Sequence, residues 1–296
     1  MTAFLLIGAN GQIGWELART LMPMGTVVIP ERRECDLTRP ETIGQIVDAV
    51  RPQVIVNAAA YTAVDNAERE QEQAFAVNAV SVGALATAAR RYGALVVHYS
   101  TDYVFDGSKA EAYTEDDAPR PVSAYGRSKL AGEEAIRVSG ADHLIFRTSW
   151  IFAARGKNFL KTILRLAGER EELRIVGDQT GAPTWARLVA QVTAMTLAQD
   201  IKRRADREFH SGTFHLTAAG ATTWHGFAEA IVKEARARGA SLACQRIEPI
   251  TTAEYPLPAP RPVNSRLAGA KLSQRYALQL PDWEHGMRLC LAELFP

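Results

Sequence analysis

Residues 4–14 read Phe4-Leu5-Leu6-Ile7-Gly8-Ala9-Asn10-Gly11-Gln12-Ile13-Gly14. Four unbroken apolar residues run into three glycines spaced GxxGxxG, and the stretch that follows, Trp15–Leu21, has amphipathic helical spacing. A short apolar run without alternation is the pattern of a strand covered on both faces. Each glycine has its own expected task. Gly8 allows the tight turn out of the strand, Gly11 lets the main chain approach a pyrophosphate, and Gly14 lets the helix pack on the strand. The helix N-terminus beyond them offers unpaired N–H groups and the positive end of a dipole to phosphate. Taken alone, the glycines also fit a tight strand-to-helix turn with no ligand.

Working outward, the same alternation recurs. Apolar runs at Thr26–Ile29, Val54–Asn57, Leu95–Tyr99 and His143–Phe146 are separated by helical patterns at Thr42–Val50, Gln73–Tyr92 and Tyr125–Ser139. Buried strands with helices between them predict an α/β fold, a Rossmann-type doubly wound parallel sheet that binds ligands at the carboxyl ends of its strands. After Trp150 the pattern loosens. Helices are expected at Asn158–Ala167, Trp185–Leu197 and Thr222–Arg238, whereas the prolines of Pro249–Pro262 exclude regular helix and central strand. The expected organisation is a dinucleotide-binding domain over residues 1–150 and a smaller C-terminal substrate-binding lobe over 151–296, with later segments returning to the first domain.

Bulk properties narrow the class. In 296 residues, 47% hydrophobic and 23% charged composition is that of a globular enzyme, and a net charge of +1 gives no footprint for nucleic acid or a membrane surface. Cys35, Cys244 and Cys290 are odd in number and far apart, which argues against a disulfide framework and fits a reducing compartment. The apolar run at the start is too short for a signal peptide and has no basic residue before it, and no stretch approaches the ~20 apolar residues of a membrane helix. A cytoplasmic location, with no membrane or nucleic-acid partner, is expected.

Tyr125-Gly126-Arg127-Ser128-Lys129 carries the chemistry. Residues four apart share a helix face, so Lys129 lies one turn from Tyr125. Reducing a carbonyl needs a hydride at carbon and a proton at oxygen. A phenol can give that proton, and a neighbouring ammonium lowers its pKa from about 10. A lone YxxxK is common on amphipathic helices. Here Ser100-Thr101 closes the fourth apolar strand at the sheet's carboxyl edge, where a hydroxyl can hold the substrate oxygen beside the phenol. Glycine loop, strand-end hydroxyl and YxxxK, in that order, point to a nicotinamide-dependent reductase. After the second strand comes Pro30-Glu31-Arg32-Arg33. Glu31 would favour the 2′-hydroxyl of NAD, and Arg32 and Arg33 the 2′-phosphate of NADP. NADPH is the expected cofactor, with NADH the alternative.

Several blocks carry a family resemblance: GANGQIGWEL, DNAE at Asp65–Glu68 after VNAAAYTAV, HYSTDYVFDG, YGRSKLAGE, LIFRTSWIF, DQTGAPT and RPVNSRL. They span the chain from near its start to Leu267. Together they resemble the extended short-chain dehydrogenases that act on nucleotide sugars, and most sharply the dTDP-4-dehydrorhamnose reductase family. The resemblance implies NAD(P)H-dependent reduction of the C4 keto group of dTDP-4-dehydro-6-deoxy-L-mannose to dTDP-L-rhamnose. It implies that Thr101, Tyr125 and Lys129 are catalytic, with Tyr125 the proton donor. It implies that Gly11, Gln12 and Ile13 contact the pyrophosphate, Asp36 and Leu37 the adenine, and Ala59, Ala60 and Tyr61 the middle of the cofactor. Asp102, Tyr103 and Trp150 would touch the sugar, and Asn158 and Arg261 would lie towards the nucleotide diphosphate.

The family includes dimers that share a magnesium ion held by carboxylates. Glu16 matches one such carboxylate, but Arg187 stands where a second acidic ligand is expected, and a guanidinium cannot bind a hard cation. No metal is expected, and both monomer and homodimer stay open. Two other readings also stay open: a different nucleotide-sugar ketoreductase or epimerase of the same fold, and a non-catalytic nucleotide-binding regulatory subunit.

Overall fold

The computed structural model describes residues 2–295. Strand β1 (Thr2–Ile7) lies inside a six-stranded sheet, with β2 (Gly25–Val28) on one side and β3 (Val54–Asn57) on the other. Beyond β3 come β4 (Leu95–Thr101), β5 (His143–Thr148) and a sixth strand from the second half of the chain, Gly212–His215. Every pairing in this sheet is parallel. The chain leaves β1 for one edge and returns to the other side at β3, so the strand order reverses there and the doubly wound expectation holds.

Successive residues of β1 serve opposite layers. Phe4 and Leu6 face a core shared with α1 (Gln12–Thr20), whereas Leu5 and Ile7 face one shared with α2 (Pro40–Val50), α5 (Ser81–Tyr92) and α6 (Ala124–Ser139). Between β3 and α5 lie two short helices, α3 (Val64–Ala67) and α4 (Gln71–Phe75). The single helix expected over Gln73–Tyr92 is interrupted by a π-turn at Ala76–Val80. The wide turn lets Asn78 clamp the segment after β3: its Oδ1 accepts from the Tyr61 N–H at 2.9 Å and its Nδ2 donates to the Tyr61 carbonyl at 3.0 Å.

The second half divides between two cores. One set forms a separate cluster around Phe152, Leu160, Trp185, Phe227 and Trp283. It draws on β6 (Ile151–Phe152), α7 (Phe159–Glu169), β7 (Glu172–Val176) and β9 (Thr184–Trp185), which follows the short β8 (Thr180–Gly181), and on two later helices that carry Phe227 and Trp283. The other set joins the sheet. From α8 (Ala186–Ala205), Val189, Ala190 and Leu197 pack beside Phe4 and Leu6, and β10 (Gly212–His215) is the sixth strand. The chain then passes through β11 (Thr222–Thr223), α9 (Trp224–Ala237) and β12 (Arg246–Ile250). It ends with α10 (Ala270–Tyr276), on the sheet side, and α11 (Trp283–Leu294) in the lobe. Pro249 is accommodated because β12 pairs with β7 alone, as an edge strand of a two-stranded sheet.

Candidate active site

The glycine loop sits at the reversal of strand order. Gly8 has φ +85°, and a Cβ there would lie 2.5 Å from the Ala59 nitrogen, so the loops after β1 and β3 meet main chain to main chain. A Cβ on Gly14 would come 2.1 Å from the Gly8 carbonyl oxygen, which is why the first turn of α1 can lie against the strand end. Gly11 caps α1 without any side-chain hydrogen bond, so the first N–H groups of the helix keep their donors for a ligand. Gln12 accepts from Asn158 Nδ2 at 2.8 Å, and Asn158 caps α7 through the Lys161 N–H. Asn158 therefore stands beside the glycine loop. Near it, Trp15 is sandwiched between Arg19 and Arg155, whose guanidinium carbons lie 3.5 and 3.3 Å from its ring centre.

Across the cleft floor, Ala59, Ala60 and Tyr61 follow β3, and the Tyr61 hydroxyl donates to Glu70 Oε2 at 2.7 Å. Leu37 is in the core, whereas Asp36 turns back to accept from the Thr38 N–H and hydroxyl, which holds its carboxyl below the usual range. Arg32 and Arg33 are exposed, and Arg33 pairs with Glu31 at 2.8 Å. An uncapped helix end, a loop crossing that only glycine permits and exposed arginines beyond β2 fit a dinucleotide.

At the carboxyl edge of β4, Thr101, Asp102 and Tyr125 form one buried group. The Thr101 hydroxyl donates to Asp102 Oδ1 at 2.8 Å, and Ser149 donates to Asp102 Oδ2 at 3.0 Å. Burial nevertheless raises the Asp102 carboxyl to about 6. Thr101 has given its one hydrogen to Asp102, and its oxygen accepts from the Tyr103 N–H at 3.2 Å. Burial pushes the Tyr125 phenol well above its ordinary value, and the neighbouring Thr101 side chain acts against that. The phenol is thus a neutral proton donor at neutral pH. Tyr103 stands edge-on to Tyr125 with ring centres 5.6 Å apart. α6 carries Tyr125 and Lys129 to the sheet edge, its N-terminus capped by Ser123 and seated where Gly126 meets the Tyr103 carbonyl. Lys129 Nζ donates to the Tyr99 carbonyl at 2.6 Å and lies 3.3 Å from His98 Nε2, and burial brings the lysine down to about 8. The expected lysine-driven lowering of the Tyr125 pKa is not what this state shows: burial dominates the phenol.

The lobe closes over this edge. Trp150, with φ +48°, stacks on Trp224 at 3.5 Å between ring centres and 7° between planes. A Cβ on Gly181 would strike the Trp150 ring at 2.5 Å, so Gly181 makes room for it. Arg261 bridges the proline-rich segment to the first domain, donating to Asp65 Oδ2 at 2.7 Å and to the Tyr103 hydroxyl at 3.1 Å. The structure thus brings Thr101, Asp102, Tyr103, Tyr125 and Arg261 together and sets Asn158 with Gln12. Sequence reasoning missed Trp224, Gln179 and His98. Gln179 accepts from the Trp224 indole at 3.2 Å and lies within the DQTGAPT block, and His98 opens HYSTDYVFDG; those blocks were the available signal.

Glu16 and Glu293 both pair with Arg187, whose Nε is 3.0 Å from Glu16 Oε2. A guanidinium already stands between the two carboxylates, so these residues do not fit a divalent cation.

A glycine loop at the strand-order switch, with the Thr–Tyr–Lys set at the neighbouring strand ends, defines the extended short-chain dehydrogenase class. Comparison with known proteins narrows it. The family model described as RmlD substrate binding domain matches residues 1–295. The chain is 56% identical over 292 residues to the dTDP-4-dehydrorhamnose reductase of Burkholderia thailandensis, covering 98% of each chain. It is 48% identical over 295 residues to that of Escherichia coli K12, covering 98% of this chain and 97% of the relative. The crystal structure of dTDP-4-dehydrorhamnose reductase from Bacillus anthracis in complex with NADP superposes with a TM-score of 0.88 at 34% identity, covering 99% of both chains. This chain belongs to the dTDP-4-dehydrorhamnose reductase family.

Proposed function

We propose that this protein reduces the C4 keto group of dTDP-4-dehydro-6-deoxy-L-mannose with NADPH, or with NADH, to give dTDP-L-rhamnose, the last step of dTDP-rhamnose synthesis. The observation that carries the chemistry is the burial of Thr101, Asp102 and Tyr125 together at the sheet's carboxyl edge, with Lys129 one helical turn from Tyr125. The substrate rests on the names of relatives 46–56% identical over nearly the whole chain.

Arg32 and Arg33, Asp36 and Leu37, Gly8, Gly11, Gln12 and Ile13, and Ala59, Ala60 and Tyr61 would hold the dinucleotide. When bound, its nicotinamide supplies the hydride. Tyr125 gives its proton to the keto oxygen as negative charge develops there, beside the Thr101 hydroxyl. Burial favours this direction, because a phenol held neutral keeps its proton until the oxygen can take it. Lys129 would offset the charge left on the phenolate and hold the nicotinamide ribose. Asp102, Tyr103 and Trp150 surround the sugar, and the lobe beyond Trp150 binds the nucleotide, with Asn158 and Arg261 near the diphosphate. Among the described residues no helix is long and apolar enough to cross a membrane. We place the enzyme in the cytoplasm, as a monomer or homodimer.

The test is turnover of dTDP-L-rhamnose with NADP⁺ and, separately, with NAD⁺. Reduced nicotinamide appearing with either supports the reading, and the ratio of rates assigns the coenzyme. No signal from protein shown to bind NADP⁺ would overturn it.

A further inference from the structure

Strand β4 changes character along its length. Val96 faces the α5–α6 core, but His98, the next residue on that face, is a fully buried histidine. It meets Lys129 of α6, with Nε2 3.3 Å from Nζ. Its other nitrogen meets Asn57, its partner across the β3–β4 ladder, with Nδ1 3.2 Å from Asn57 Nδ2. Asn57 Oδ1 accepts the Ala59 N–H at 3.2 Å, and Ala59 is the residue against which Gly8 is pressed. One buried chain of hydrogen bonds therefore runs from the cleft loop to the lysine beside Tyr125.

The directions along this chain are constrained. Burial, and then Lys129, hold the imidazole well below its usual pKa, so it is neutral and carries one N–H. While Asn57 Oδ1 takes the Ala59 N–H, the amide nitrogen faces Nδ1 and donates to it. The ring proton is then on Nε2 and points at Lys129, which can receive it only as the neutral amine. A charged lysine must donate to Nε2 instead. The ring proton then sits on Nδ1 and needs the Asn57 oxygen, and turning the amide breaks the bond to Ala59. Between the two states one proton is taken up, at the lysine, and the ring stays neutral in both.

We propose that Asn57 and His98 are positioning residues that couple the charge on Lys129 to the hydrogen bonding of the cofactor-side loop at Ala58–Ala60. The proposal rests on the reductase reading for its purpose: a nucleotide that fixes this loop also sets the lysine's proton. The other groups acting on Lys129 are Glu133 from α6 and the Tyr99 carbonyl from β4; Tyr125 stands one turn earlier on α6, and Arg147 of β5 is tied to Glu133 at 2.7 Å. Glu133 favours the charged lysine, while burial lowers it to about 8, within the range where enzymes are assayed.

His98→Gln, whose amide can present oxygen to an ammonium, and Asn57→Ser, which removes the orienting amide and leaves His98 and Lys129 in place, test the link by two readouts. The first is the basic limb of the pH profile of kcat, with KM measured alongside. The second is proton exchange on binding NADP⁺ near pH 8, from calorimetry in buffers of different ionisation heat. The expected result is a basic limb raised by about one pH unit in His98→Gln, and the number of protons exchanged at least halved in both variants. Should His98→Gln fail to fold, Asn57→Ser carries the calorimetric test alone. Wild-type limb position and wild-type proton exchange in the folded variants would overturn the proposal. A wild-type protein that binds NADP⁺ but turns over no dTDP-L-rhamnose overturns the reductase reading instead, and the calorimetric arm still decides this one.

Discussion

Arg187 of α8 lays its guanidinium on the carboxylate of Glu16 of α1, Nε to Oε2 at 3.0 Å, on the seam where the two helices pack, and its other end reaches Glu293 of α11. Glu16 is only 6% exposed, so Arg187 takes the place of solvent against its carboxylate. Arg187→Ala leaves a nearly buried carboxylate unpaired. It should cost about 1–2 kcal/mol by chemical denaturation, less than a fully buried pair because Arg187 meets solvent. Turnover should be unchanged after treatment with EDTA. A loss of activity that magnesium restores would show that a metal acts elsewhere.

Tyr125→Phe removes the proposed proton donor and leaves the ring in place. The expected loss in kcat is about 10²–10⁴-fold with NADP⁺ affinity nearly unchanged, because a general acid acts on the chemical step. Near-wild-type turnover would mean that another group delivers the proton.

Gly181→Ala is a subtler test of the sugar side. The added methyl collides with the Trp150 indole, which is itself pinned on Trp224. Trp150 must shift, so KM for the sugar nucleotide should rise several-fold while the cofactor Kd stays constant. An equal change in both would place Trp150 outside the sugar subsite.

Asp102 predicts a pH dependence. Its folded pKa, about 6, is above the ordinary 3.8. The folded state therefore binds more protons than the unfolded chain between those values, and stability falls as pH rises from about 4 to about 6. Asp102→Asn escapes this. Its stability relative to wild type should improve across that window, by on the order of 2 kcal/mol at pH 7. Parallel unfolding curves for the two proteins from pH 4 to pH 7 would contradict the burial argument.

Arg32 and Arg33 predict coenzyme choice. Both are exposed, and only Arg33 is paired with Glu31, so Arg32 is the freer cation. Arg32→Ala should lower kcat/KM for NADPH several-fold and spare NADH. Equal effects on both would remove it from the 2′-phosphate.

The primary structure alone determined the parallel sheet, because strands buried on both faces must be written as unbroken apolar runs, as at Phe4–Ile7 and Val54–Asn57. It also determined the glycine loop and the helical pairing of Tyr125 with Lys129, since both follow from local spacing. Three things were decided only by tertiary structure. Strand β10 and helix α8 complete the sheet domain from beyond Trp150, because their apolar residues look the same whichever core they fill. The state of the candidate site's side chains depends on burial: Tyr125 held neutral, Asp102 raised to about 6 and Lys129 lowered to about 8 are effects of desolvation by segments far apart in sequence. The contacts of His98 with Asn57 and Lys129, and of Arg261 with Asp65 and Tyr103, join residues 31 to 196 positions apart. Periodicity reports which face a residue occupies; which partner waits on that face is settled only when the layers close.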